Sequence, residues 1–391
     1  MSGKLVVRDA RERVVDGWRE VSAEVDGDRV WFKVPAELEL SVRAEPFVAA
    51  GLLEAMIRGV PLEVEQGIPL SGILHQQLPE IQAVYRCWNS DLSIIEVNAQ
   101  LAEAGEETGG VASFYSAGVD SSHTLLQHRD EIDTLIFLLG FDGNTSDHDW
   151  EQRIEQQQLF ADRMGKKLIV IKTNARLFAF KRRIDWSFGY GPCLATIGPM
   201  LKCRKVYIPS GHTYAELFPE GAHPLSDPMW STGSNTVIHD GAGFRRSEKM
   251  TDLCEDQEIL DNLQVCWRSS SSNCGACPKC VRTMAAIYLL EAQCKTLPPL
   301  VNLQLLSWLK TKDESGATFL LDTILLARKR GNFEFAAQLK RYYRNYQLAQ
   351  VIPLLDQTLF GGVLRKLYRS FRKPEWLDER VSLRAKDRWL L

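Results

Sequence analysis

Three stretches near the start of the chain, Lys4–Arg8, Glu20–Val25 and Val30–Val34, alternate apolar and polar residues as half-buried strands do. Asp26-Gly27-Asp28 between the last two predicts a hairpin turn. Phe47–Arg58 has helical spacing, and Ser93–Val97 reads as a further strand. Residues 1–105 therefore predict a separate N-terminal α+β domain without a metal-ligand cluster or a phosphate loop, in which Cys87 beside Trp88 reads as packed. Ala104–Gly110 (AGEETGG) predicts a linker.

From Val111 the pattern changes to strand alternating with helix, which predicts α/β architecture with a parallel sheet. Val111–Tyr115 and Leu135–Gly140 are continuous apolar runs, as buried parallel strands are. Ser121–His128 predicts a helix, Asp149–Met164 another capped by Gly165, and Lys167–Lys172 the next strand. Pro192–Lys202 predicts one helix and Val206–Pro209 a fourth strand. Residues 213–247, rich in Gly, Pro, Ser and Asp, predict a long functional loop. Ligands of open α/β sheets bind beyond the carboxyl ends of the strands, so Ser116–Ser121, Phe141–Gly143 and Ser210–His212 are expected to converge. Residues 106–296 form the expected core, and residues 297–391 a basic helical C-terminal region.

Composition changes this picture little, since 45% hydrophobic and 25% charged residues are ordinary for a globular protein. The net charge of −3 argues against wholesale binding to nucleic acid. It is unevenly spread, because Ala327–Leu391 carries 15 Lys and Arg against six Asp and Glu. Ala327–Gln347 and Gly361–Phe371 set arginines beside Tyr342, Tyr343, Tyr346, Tyr368 and Phe371, a pattern that fits stacking on RNA bases but reads first as amphipathic helices with solvated faces. Met1–Val15 is charged and does not read as a signal peptide, and no run approaches the roughly 18 apolar residues of a membrane span. A cytoplasmic protein with reduced thiols is expected.

Two constellations carry chemistry. The strand, bend and helix start of Val111–Asp130 (VASFYSAGVDSSHTLLQHRD) make an anion site, since unpaired N–H groups and the helix dipole point at whatever occupies the bend. Gly118 permits close approach, and Ser116, Ser121 and Ser122 add hydroxyls. Asp120 makes sense beside phosphate if a divalent metal joins them, although the stretch also fits a serine-rich turn with an Asp cap. The second is Cys266, Cys274, Cys277 and Cys280, spaced C-x7-C-x2-C-x2-C. Four thiolates fill a tetrahedral zinc and leave no open position, so a structural zinc is expected ahead of an iron–sulfur cluster or unligated thiols. Cys193, Cys203, Cys254 and Cys294 lack such spacing and read as packed thiols.

Ser116-Ala117-Gly118-Val119-Asp120-Ser121 resembles the SGGxDS signature of the PP-loop ATP pyrophosphatases, with Ala117 in place of the first glycine. Together with the cysteine run, residues 110–295 resemble the 7-cyano-7-deazaguanine synthase family. His223–Pro228 sits where that family has a Tyr-Pro-Asp-Cys loop beside the substrate, and only Asp227 carries over. Ser247-Glu248-Lys249-Met250 sits where it has a Lys-Ala-Glu-Ile-like helix start.

The resemblance implies an adenylating ligase using ATP, Mg²⁺ and Zn²⁺. A substrate carboxylate, 7-carboxy-7-deazaguanine or a similar base, attacks the α-phosphate, and an amine or ammonia then displaces AMP. It implies ATP contacts from Tyr115, Ser116, Ala117, Gly118, Val119, Asp120, Ser121, Ser122, Phe141 and Gly211, and substrate contacts from His212 and Asp227. Asp120, Ser121 and Lys249 are the expected catalytic residues, Asp120 near Mg²⁺ and Lys249 as the cation on the leaving pyrophosphate. Trp88, His148 and His239 read as structural. Relatives that accompany anti-phage systems imply a second reading, in which a protein partner's amine receives the base. The basic tail implies a third, a tRNA-modifying enzyme. A homodimer is expected.

Overall fold

The N-terminal alternation folds into an antiparallel meander of β1 (Leu5–Val15), β2 (Trp18–Val25) and β3 (Asp28–Pro35). A computed structural model describes residues 3–102, 109–141, 147–268, 272–311, 313–361 and 363. Asp16-Gly17 and Asp26-Gly27 close the two hairpins with φ of 51°, 76°, 48° and 88°. Both are two-residue turns with positive φ at each centre, the geometry that matches strand twist. β1 outruns its expected end because its second half is largely exposed and carries little alternation.

The helix Glu45–Arg58 packs beside this meander, and β4 (Leu62–Val64) and β5 (Leu70–Ser71) follow it. A helix at Gly72–Trp88, which the sequence reading leaves out, buries Leu74, Leu78, Ile81 and Tyr85 despite Pro79 in its interior. The strand expected at Ser93–Val97 shortens to β6 (Val97–Asn98), and β7 (Leu101–Ala102) pairs only with β5. Cys87 is exposed rather than packed.

The core supplies β8 (Val111–Phe114), β9 (Thr134–Leu139), β10 (Lys167–Thr173), β11 (Lys205–Pro209) and β12 (Thr236–Asp240). One sheet of ten strands runs β12-β11-β8-β9-β10-β3-β2-β1-β4-β6. Its first five strands are parallel, so the chain has the α/β architecture expected of it. β12 lies within the stretch expected to be a loop, where Gly- and Ser-rich flanks hide a five-residue strand. One expected helix is two, Trp186–Ala195 and Ile197–Met200, joined at Thr196.

The sheet crosses the boundary expected near residue 105. β3 joins β10 antiparallel, with Lys33 opposite Lys172 and Phe32 opposite Thr173. Asn174 seals the seam, its side chain accepting from the Trp31 N–H and donating to the Arg29 carbonyl, both at 2.8 Å. The N-terminal unit is thus a continuation of the core's sheet. Most of the expected linker, residues 104–108, lies outside the described residues.

Strand order reverses at β8, with β9 and β10 on one side and β11 and β12 on the other. Such a reversal opens a crevice beyond the strand's carboxyl end. A second apolar core covers the far side of the sheet, joining the helices Arg246–Leu253, Pro278–Leu289, Glu314–Lys329 and Phe333–Phe360. Tyr342 and Tyr343 pack against it as partly buried side chains, while Tyr368 and Phe371 lie outside the described residues. Among the described residues no helix is long and apolar enough to cross a membrane.

Candidate functional site

A cavity of about 840 Å³ opens at the reversal, lined from the ends of β8, β9, β11 and β12 by Ser116, Phe141, Ser210 and His239. The described parts of the three expected strand ends converge on it, with residues 142 and 143 of one lying outside the described residues. Tyr115, Gly118, Val119, Asp120, Ser121, Gly211 and His212 also line it. Ala117 and Ser122 do not, both being fully buried behind the bend.

The bend owes its shape to a left-handed residue. Ala117 has φ of 57°, a conformation glycine adopts freely and alanine does not. Its carbonyl accepts the Gln264 N–H at 2.7 Å, and the Ser116 carbonyl accepts from Arg153 at 2.7 Å. The Ser116 N–H donates to Ser121 Oγ at 3.2 Å and the Gly118 N–H to Ser116 Oγ at 3.3 Å, so two amides serve the bend itself. The helix that follows, Val119–Gln127, has no side-chain cap, which leaves the amides of its first turn for a ligand. The Tyr115 hydroxyl is engaged elsewhere, accepting from Asn262 at 2.9 Å.

Asp120 faces two cations. Arg246 donates to one carboxylate oxygen at 2.7 Å and Lys249 to the other at 3.1 Å. Burial raises the carboxyl's pKa, but the Arg246 and Lys249 charges outweigh it and hold the group well below the usual carboxylate range. Lys249 is 1% exposed and lies beneath the cavity floor, where it also donates to the Ser210 carbonyl at 2.6 Å.

Among the described residues positive charge dominates the walls. Arg153, Arg176, Arg246, Lys279 and Arg282 line the cavity against the carboxylates of Asp120 and Glu220. Arg282 and Arg246 lie 4.1 and 5.3 Å from the Phe319 ring centre. Burial, with Arg246 adding to it, pushes the Arg282 guanidinium down to about 9, a cost that an anion in the cavity relieves. The sequence reading gives none of these five a role. Arg246, Lys279 and Arg282 fall in or beside stretches it does single out, whereas Arg153 and Arg176 carry no local signal.

His212 packs between the Phe218 and Phe319 rings, and burial pushes its imidazole down to about 4. Asp227, expected beside the substrate, does not line the cavity. It is 1% exposed and stands behind His239, whose Nδ1 lies 2.7 Å from its carboxylate. Burial raises the Asp227 pKa. Trp88 is packed against Tyr85, Phe188 and His223, in keeping with a structural residue. The side chain of His148 lies outside the described residues.

The four cysteines form a cluster that can hold a metal ion, with all four sulfurs within 4.8 Å of one another. Cys266 and Cys277 are 4.0 Å apart and Cys274 and Cys280 3.9 Å. The amides of Arg268, Ala276 and Cys280 donate to sulfurs at 3.3 to 3.4 Å. Cys277 also caps the helix Pro278–Leu289, so the cluster anchors the element that carries Arg282. Cys266, Trp267 and Lys279 form one wall of the cavity. No family model, no curated protein and no solved structure matches the chain.

Proposed function

We propose that the chain is a PP-loop enzyme of the 7-cyano-7-deazaguanine synthase type. It adenylates a carboxylate, 7-carboxy-7-deazaguanine or a similar base, and joins it to the nitrogen of ammonia or of a protein-borne amine. The observation that carries this reading is the uncapped helix start behind the Ser116–Ser121 bend, set at the strand-order reversal of a cavity walled by five cationic side chains.

In this reading the triphosphate lies against the bend, with the amides of the first helical turn and Ser121 on its oxygens. Arg246 and Arg282 neutralise the pyrophosphate as it leaves, the step at which charge stabilisation matters most. Lys249 acts one step back, holding Asp120 and the Ser210 carbonyl in place rather than meeting the nucleotide. Asp120 already holds Arg246 and Lys249 on its two oxygens, so a Mg²⁺ here would be carried in by the phosphates and would share the carboxylate with those cations. Phe141 and Trp186, ring centres 4.9 Å apart, offer an apolar wall for a base.

The cysteine cluster fits zinc. Its shorter sulfur separations of 3.9 and 4.0 Å are close to the about 3.8 Å that tetrahedral Zn–S bonds of about 2.3 Å require. Zinc there is structural, holding the wall from which Lys279 and Arg282 project.

Incubation with ATP, Mg²⁺, 7-carboxy-7-deazaguanine and ammonium chloride should yield AMP and pyrophosphate in equal amounts. Release of ADP and phosphate instead overturns the reading. Asp120→Asn should lower AMP formation by roughly 10²-fold or more, as loss of a charge-organising group in a transition-state site does, while leaving the chain folded.

A further inference from the structure

His239 ends the sheet on its outer side, next to last in β12, and its side chain is 2% exposed. Nδ1 lies 2.7 Å from Asp227 Oδ2. Asp227 is fixed in turn, since the His223 N–H donates to its other oxygen at 3.1 Å and the short 3-10 turn Asp227–Trp230 carries it against β12. A carboxylate in that position favours the neutral tautomer with its hydrogen on Nδ1, in which Nε2 carries the lone pair. That Nε2 is buried and has no hydrogen-bond partner among the described residues. It belongs to a residue that lines the cavity, and buried polar atoms of native proteins are rarely left unpaired.

The neighbours do not explain the orphan. His223, the nearest imidazole, has its own Nδ1 taken by the Leu225 N–H at 3.1 Å and its ring packed 5.0 Å from Trp88. Burial pushes His223 down to about 4, so it stays neutral. Arg246 and Arg153 are held at the bend by Asp120 and the Ser116 carbonyl, whereas His239 offers the cavity an acceptor. An acceptor there meets an N–H group rather than a phosphate.

We infer that His239 is the base of the second half-reaction, with Asp227 as its positioning residue. The inference rests on the adenylation reading above. The lone pair of a neutral amine forms the new C–N bond to the acyl carbon. The C–O bond to AMP breaks, AMP leaving with that electron pair, and the nitrogen's proton passes to His239 Nε2. The imidazolium so formed is stabilised by the Asp227 carboxylate.

The test separates the two half-reactions in the full-length protein. Carboxylate-dependent exchange of labelled pyrophosphate into ATP reports adenylation, and single-turnover amide formation with ammonium chloride reports the second step. His239→Gln should keep exchange within about threefold while amide formation falls roughly 10²- to 10⁴-fold, the range of a lost general base. Hydroxylamine, a neutral nucleophile that needs little base, should recover most of the lost acyl transfer. Asp227→Asn should leave exchange in place and shift the pH profile of amide formation, which a merely structural change would not do. This second variant also serves if His239→Gln does not fold. Unchanged amide formation in His239→Gln overturns the inference. So does a rise in KM for the carboxylate in the exchange reaction that matches the loss, since His239 would then be reading the substrate. Wild-type protein without exchange overturns the adenylation reading itself.

Discussion

The Lys249 ammonium spans the strand-order reversal, donating to Asp120 at 3.1 Å just past β8 and to the Ser210 carbonyl at 2.6 Å just past β11. One buried cation therefore ties together the two strand ends between which the crevice opens. Arg246 holds the other Asp120 oxygen at 2.7 Å. Removing one partner of a buried pair costs more than the pair contributes, because the charge left behind stays desolvated. Lys249→Met leaves Arg246 on Asp120, so it should lower unfolding stability by about 2 kcal/mol, the range of a lost charged hydrogen bond, in urea titrations. Activity should fall as well, because the bend loses its anchor to β11.

Ala117 sits at φ of 57° with its methyl fully buried. Glycine there relieves about 1 kcal/mol of left-handed strain but gives up a buried methyl of about the same value. Ala117→Gly should therefore leave the thermal midpoint within a few degrees of wild type and keep activity. Ala117→Val, β-branched at a left-handed position, should cost about 2 kcal/mol or more. Equal unfolding temperatures of the two variants would show that residue 117 carries no left-handed strain.

Cys277 caps its helix, with its sulfur accepting the Cys280 N–H at 3.4 Å, and stands 4.0 Å from Cys266. Metal analysis should find one zinc per chain. Cys277→Ser should lose that zinc together with most of the soluble protein, because metal binding and folding are coupled at such sites. Equal zinc content in Cys277→Ser and wild type would exclude a four-sulfur centre.

Acid should destabilise the fold before its carboxylates titrate. Burial pushes His212 and His223 down to about 4 from an ordinary 6.5, and lowers His123 as well. The unfolded chain then takes up protons first. Stability should fall as pH drops from about 6.5 to about 4, by at most about 1.4 kcal/mol per pH unit for each group. Asp120, held low in the folded state, keeps its full contribution above the ordinary carboxylate range and loses it only at lower pH. Urea unfolding across this range should show the slope, and the double variant His212→Gln, His223→Gln should flatten it.

What the sequence by itself determined are features that depend on near neighbours in the chain. Asp26-Gly27 makes a hairpin because its backbone tolerates positive φ, whatever packs around it. The apolar run at Leu135 becomes a buried strand and the Ser116–Ser121 bend a helix start, since both follow from local patterning. The four cysteines meet because a fifteen-residue segment can hardly keep them apart.

Only the tertiary structure decided what faces what. It joins β3 to β10, where Asn174 meets the Trp31 N–H across 143 positions, so the expected domain boundary vanishes into one sheet. It brings Arg246 to Asp120 across 126 positions and moves Asp227 behind His239. Hydrophobic periodicity says which side of an element is buried, but not which element covers it. The cavity is made of such meetings, so its cations and the unpaired nitrogen of His239 appear only when the chain is folded.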